Sequence, residues 1–229
     1  MAAAIQTSKG ASQTATATTG SMTTTGGSGS VFGIVATMDP SASPHATTPW
    51  TDSKSNTYSQ QLLQAASDGF KIALALCFNG TGGSGHTFTF TADATSYSSV
   101  FGFEITGILS SSALDASVST ADSVSPYTVS SGALSQADEI LLSGIALNTN
   151  LTMAPGNSFT LDQEETNSSL YWCGAIAHKI VSSTASDGPS WSSAGGDDSA
   201  LFVVSFKIAT SSQSQAPRSM HQHRMRRSK

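Results

Sequence analysis

The sequence predicts an all-β protein: an antiparallel β-sandwich, jelly-roll-like, with a flexible N-terminal arm and a basic C-terminal tail. Three observations predict it. Apolar residues alternate with period two in several short runs, most clearly Phe70–Phe78. Clusters of Ser, Thr, Gly and Pro punctuate those runs. No stretch carries apolar residues at helical spacing, and no 20–50-residue repeat points to a propeller or solenoid.

The elements follow in order. Residues 1–30 are rich in Ala, Thr, Ser and Gly and read as an arm, with 15–18 as a possible edge strand. No Gly-Lys-Ser/Thr follows the glycine-rich 26–30, so it is not a phosphate loop. Residues 31–38 form the first strand, with Phe32, Ile34, Ala36 and Met38 on one face. Pro40, Pro44 and Pro49 then make an irregular crossing that ends at Trp50, because proline removes ladder donors. A strand at 59–64 follows. In 70–78, Phe70, Ile72, Leu74, Leu76 and Phe78 face one way, and Ala73, Ala75 and Cys77 the other. The glycine-rich 79–86 reads as the mobile tip of a hairpin that returns through Phe88 and Phe90.

The next strand, 100–108, turns Phe101, Phe103 and Ile105 inward. Residues 114–135 are loosely patterned, as two short strands around Pro126. Strands at 139–147 and from 159 precede 170–180, which is apolar on both faces and carries Trp172, Cys173 and His178. A polar loop at 182–199 holds Trp191. The last strand, 201–208, aligns Phe202, Val204, Phe206 and Ile208. The division is therefore an arm (1–30), a sandwich domain (31–210) and a tail (211–229).

Charge narrows the function classes. The chain has 229 residues, of which 11% are charged, and a net charge of −5. Five of its ten basic residues, Arg218, Arg224, Arg226, Arg227 and Lys229, crowd the C-terminus, and all fifteen acids precede Leu201. An acidic body repels nucleic acid, so the tail reads as a solvated end or a dock for an acidic protein surface. No signal-peptide pattern or membrane-length apolar segment is present, so neither secretion nor membrane insertion is expected. Cys77 and Cys173 sit inside apolar strands and read as buried free thiols.

The reactive residue types do not assemble into a known catalytic pattern. Gly-x-Ser-x-Gly is missing. His178 reads as a hydrogen-bonded core histidine. Glu104 with Asp162, Glu164 or Glu165 could form a glycosidase carboxylate pair, but a solvated acidic face is the simpler account. Asp162 to Glu165, or Asp197-Asp198, could offer calcium oxygens without matching an EF-hand. The residues call for no cofactor and no metal. Sugar binding needs aromatic platforms near polar loops; Trp50, His86 and Trp191 are the candidate ligand-binding residues.

One stretch carries a resemblance. Residues 50–58, Trp-Thr-Asp-Ser-Lys-Ser-Asn-Thr-Tyr, resemble the D-S-x-G-N-x-Y motif of a loose class of β-sandwich domains. Such domains occur in bacteriophage virion proteins and some bacterial surface proteins. Glycine is usual where this chain has Ser55. The class is also similar at Phe70–Phe78, Gly80–Phe90, Phe101–Glu104, 137–142 and the Trp191-to-final-strand segment, so the likeness spans about residues 31–208. It implies a jelly-roll or lectin-like sandwich and carries no catalytic site. The expectation is a non-enzymatic virion structural protein, a capsid decoration protein or a head or tail appendage. Its partners would be capsid or tail proteins, with a homo-oligomer in the particle and docking through the basic tail. The alternative is a carbohydrate-binding module for host attachment, with a cell-surface glycan as partner.

Overall fold

The computed structural model describes residues 3–95, 97–167, 172–195 and 198–210. They contain strands and no helix, and every ladder is antiparallel.

In the N-terminal half the strands are β1 (Ala4–Ser12), β2 (Thr16–Thr18), β3 (Met22–Gly26), β4 (Ser30–Met38) and β5 (Trp50–Asp52). They continue as β6 (Ser59–Ala65), β7 (Lys71–Phe78), β8 (Thr81–His86), β9 (Phe88–Thr91) and β10 (Ser98–Thr106). A large sheet runs β1-β10-β4-β7-β6, a small sheet runs β2-β9-β5, and β3 pairs with β8 as a flap. The C-terminal half has β11 (Leu114–Asp122), β12 (Tyr127–Thr128), β13 (Asp138–Leu147), β14 (Ala154–Pro155), β15 (Thr160–Asn167), β16 (Trp172–Ser182), β17 (Ser190–Ser192) and β18 (Ser199–Lys207). Its large sheet runs β11-β18-β13-β16-β15 and its small sheet β12-β17-β14.

The two halves repeat one another. With the flap set aside, each visits its sheets in the order large, small, large, small, large, large, small, large. Register agrees as well as order. Met38 opposes Ser98 and Lys71 in the first half; Leu147 opposes Ser199 and Cys173 in the second. The edge strands β6 and β15 slip at the same place, between Gln60 and Leu62 and between Leu161 and Gln163. A bulge inserts one residue and bends an edge, so this shared irregularity marks the halves as copies of one plan.

Four layers result. The two large sheets face each other over a shared core that includes Val35, Leu74, Phe101 and Phe103 from one, and Leu142, Ile176, Phe202 and Phe206 from the other. The outer face of the first large sheet packs Phe32, Ile34, Ala73 and Ala75 against Trp50, Phe88 and Phe90 of its small sheet. The second does the same with Leu141, Ile145 and Ala175 against Tyr127 and Trp191. The central strands are covered on both faces, which is why they read as nearly continuous apolar runs. Each fully buried Leu or Phe contributes roughly 1.5–3 kcal/mol. Gly33 leaves room for this packing: a Cβ there would lie 1.9 Å from the Phe103 ring.

The edges of the facing sheets run beside each other, β1 by β15 and β6 by β11. Lys9 closes the first seam through Glu165 at 2.9 Å and the Glu164 carbonyl, and Gln163 Nε2 donates to Thr7 Oγ1 at 3.0 Å. Only Ser119 Oγ to Gln64 Oε1, at 3.0 Å, is found at the second among the described residues.

Four expectations change. Residues 4–26 are strands, and β1 pairs with β10 along its whole length, so they form no flexible arm. Within the expected tip 79–86, Thr81–His86 is β8, paired with β3, and β7 and β9 lie in different sheets, so no hairpin joins them. Residues 114–122 are one long strand followed by a two-residue strand at Tyr127. The strand expected from 159 extends to Asn167. The basic tail lies outside the described residues.

Candidate functional site

The residues of 50–58 that carry the resemblance converge on one buried cluster. Asp52 ends β5 and turns its carboxylate inward, where the side chain has no exposure. Oδ1 accepts from the N–H groups of Lys54 and Asn56 at 2.9 and 3.0 Å. Oδ2 accepts from Asn56 Nδ2 at 2.8 Å, Tyr58 Oη at 2.7 Å and His86 Nε2 at 2.8 Å. His86 Nδ1 lies 2.8 Å from Thr24 Oγ1, which accepts from Gly83 N–H at 3.1 Å. One tautomer satisfies the whole chain of bonds: Nε2–H donates to Asp52 and Nδ1 accepts from Thr24. The imidazole stacks on Phe88, with centroids 4.3 Å apart, and meets the Phe32 edge.

Burial raises the Asp52 pKa, but the bonds from Asn56, Tyr58 and His86 outweigh it and hold the carboxyl below its ordinary 3.8. Burial first, then the Asp52 carboxylate, push the Tyr58 phenol up. The order Asp–His–Thr resembles a nucleophilic triad in its connectivity alone. Thr24 is 5% exposed and its hydroxyl is occupied by His86 and Gly83, so no reacting group can reach it. The cluster is a clamp that fastens β5, the 52–58 loop and the β3–β8 flap. Asn56 extends it by pairing both ways with the Thr81 backbone, at 2.7 and 2.9 Å. Ser55 sits at φ 61°, a left-handed conformation that favours glycine.

The second half has no such clamp among the described residues. Counting along the matched strands, Asn157, Phe159, Lys179 and Asp187 stand where Asp52, Tyr58, Cys77 and His86 stand in the first. There Lys179 Nζ reaches Asp187 at 2.6 Å and lies over the Phe159 ring.

The structure separates the three expected platform residues and buries them. Trp50 packs on Phe90 at 4.9 Å and is 8% exposed. His86 belongs to the clamp. Trp191, in the C-terminal half, has no exposure, and its Nε1–H donates to Ser143 Oγ of the same half at 3.1 Å. They looked like loop residues because strands of two or three residues carry too little period to be recognised.

The acids do not pair. Glu104 is fully buried and accepts from the N–H groups of Thr25 and Gly26, closing the end of β3. Asp162 holds His178 Nδ1 at 2.8 Å, Glu164 accepts from Met153 N–H, and Glu165 takes Lys9. Cys77 and Cys173 are free, buried and in different outer cores, so they cannot be joined. Among the described residues no group of three His, Cys, Asp or Glu side chains could hold a metal ion. Asp197 of the calcium expectation, and the tail cations Arg218, Arg224, Arg226, Arg227 and Lys229, lie outside the described residues.

Sequence reasoning missed a groove of about 430 Å³ beside the edge strand β6. Pro44, His45 and Pro49 line it from the long 39–49 connection, with Trp50, Tyr58 and Leu63. That connection is longer than its counterpart 148–153. It is pinned along its length: Ser43 exchanges bonds with Asp93, His45 N–H donates to Thr91 O at 3.0 Å, and Lys71 Nζ reaches the carbonyls of Pro40 and Ala42. The prolines were the only signal for it. No family model, curated protein or solved structure matches the chain.

Proposed function

We propose that the protein is a non-enzymatic structural component of a bacteriophage virion, a capsid decoration protein or a head or tail appendage. The observation that carries this reading is the repeated strand order. In each half, consecutive strands cross between a large and a small sheet except at one hairpin, β6–β7 or β15–β16, and the first strand lies beside the last. This order resembles the jelly-roll pattern, with the strand that opens the hairpin, β6 or β15, at the edge of the large sheet. Jelly rolls recur in viral capsid and lectin domains. Two such units fused face to face give a rigid block with exposed, Ser/Thr-rich strands on its flanks, a form suited to covering a surface. The motif 50–58 supports the reading too, because its residues are invested in the clamp that stiffens one unit. A saccharide-binding module is the weaker reading, since the aromatic platforms it needs are inside the core.

A fold hosts many functions, so the particle has to be tested directly. Purified full chain, mixed with particles from a phage deleted for its gene, is expected to sediment with them, and a chain truncated after Thr210 to bind less. Absence of the full chain from the particle fraction at every concentration would overturn the proposal.

A further inference from the structure

The repetition supplies an internal control for the sheet edges. The matched edges β6 and β15 should have matched surfaces, yet their chemistry differs. β15 carries Asp162, Glu164 and Glu165, and its seam with β1 is clamped by Lys9. Charge on an edge strand is a common protection against pairing with another chain. β6 reads Ser-Gln-Gln-Leu-Leu-Gln-Ala and has no charged residue. It has a ladder partner on one side only, β7; on the other it runs beside β11 with no ladder, joined by Ser119 Oγ donating to Gln64 Oε1 at 3.0 Å. In the single chain the Gln61 and Gln64 side-chain amides hold the Ser59 and Ala65 carbonyls, at 3.1 and 2.9 Å, bonds that an incoming strand can replace.

The same edge carries a projection and a recess. Leu63 is 43% exposed, and the groove lined by Trp50, Pro44 and Pro49 lies beside it. At the matched position β15 has Glu164. A projection next to a recess on one strand is complementary to its own copy under a two-fold axis, and two identical strands related by that axis run antiparallel. The rigid 39–49 connection keeps the recess formed before a partner arrives, which lowers the cost of association.

We propose that β6 is a self-association edge: two copies pair β6 antiparallel, each seating Leu63 in the other's groove. The occupant is a second copy because the strand is neutral, so self-pairing brings no like charges together. The inference stands on the purified chain alone and does not depend on a place in a virion.

Sedimentation velocity of the full chain across a concentration series tests it. The wild type is expected to shift from monomer to dimer. Leu63→Glu places a carboxylate on each side of the axis and should weaken dimerisation roughly 100-fold or more, since opposed like charges cost several kcal/mol. Because Leu63 is exposed in the single chain, circular dichroism and Tm should be those of the wild type at concentrations where both are monomeric. Lys9→Ser, at the opposite seam, should leave the dimer intact. A wild type that stays monomeric, including one whose groove instead takes a saccharide or peptide, would overturn the proposal, as would a dimer indifferent to Leu63→Glu.

Discussion

Asp52→Ala should be among the most damaging single substitutions in the chain. The carboxylate takes five hydrogen bonds, and removal does not strand all five donors. Asn56 Nδ2 keeps the Thr81 carbonyl, and the Lys54 and Asn56 N–H groups lie on a turn that water can reach. His86 Nε2 is left fully buried without an acceptor, and the desolvated phenol of half-buried Tyr58 loses its own. Each buried, unsatisfied donor costs about 1–3 kcal/mol, giving a loss of about 2–6 kcal/mol. Most substitutions cost about 0.5–3 kcal/mol, so the upper part of that range separates the clamp from an ordinary contact. Urea unfolding followed by tryptophan fluorescence measures it. Tyr58→Phe should cost only about 1 kcal/mol, because Asp52 retains four partners. The double variant should lose less than the sum, since both changes remove the same bond.

The loss should depend on pH in a defined direction. The Asp52 carboxyl is held below 3.8 in the folded chain, so the unfolded chain takes up its proton first as pH falls. The stabilisation is complete above the unfolded value and disappears as pH drops through the folded one. Wild type and Asp52→Ala should therefore differ most near neutral pH and converge in acid. A cost below about 1 kcal/mol at pH 7, or a difference that grows on acidification, would refute the clamp as the reason for the 50–58 motif.

Other outcomes follow from the same geometry. Ser143→Ala leaves the Trp191 Nε1–H without its acceptor in a fully buried site and should cost about 1–3 kcal/mol by urea unfolding. Glu139 is buried and its pKa is raised, by burial first and then by the neighbouring Asp115 carboxylate. An acid with a raised folded pKa destabilises as pH rises past its unfolded value. Glu139→Gln should therefore gain stability relative to wild type as pH rises past the ordinary 4.5, and a Tm series running upward from there checks it. Burial pushes the Cys77 and Cys173 thiols up, so neither should react with a thiol reagent until the chain unfolds, when both should.

The central strands were legible because two-sided burial imposes a continuous apolar signal. Phe32, Ile34, Ala36 and Met38 share an outer core, and Phe101, Phe103 and Ile105 the inner one, as their alternation implies. The duplication was not legible. Matched positions share burial rather than identity: Phe32 corresponds to Leu141 and Ile34 to Ser143, and the longer connections in the first half shift the spacing. Strand pairing between distant segments leaves no local trace, so β1 looked like a Ser/Thr arm although it completes a sheet with β10. Trp50 and Trp191 misled for a related reason. Each sits among turn residues, but the small sheets fold those turns over the large ones and turn the indoles inward.

A virion role for this duplicated all-β fold stands or falls on where the chain is found. Quantitative mass spectrometry of gradient-purified particles, compared with the soluble fraction of the same lysate, locates it. A virion component should appear in the particle fraction at a fixed ratio to the major capsid protein across preparations. Recovery in the soluble fraction alone would mean that the protein has no place in the particle.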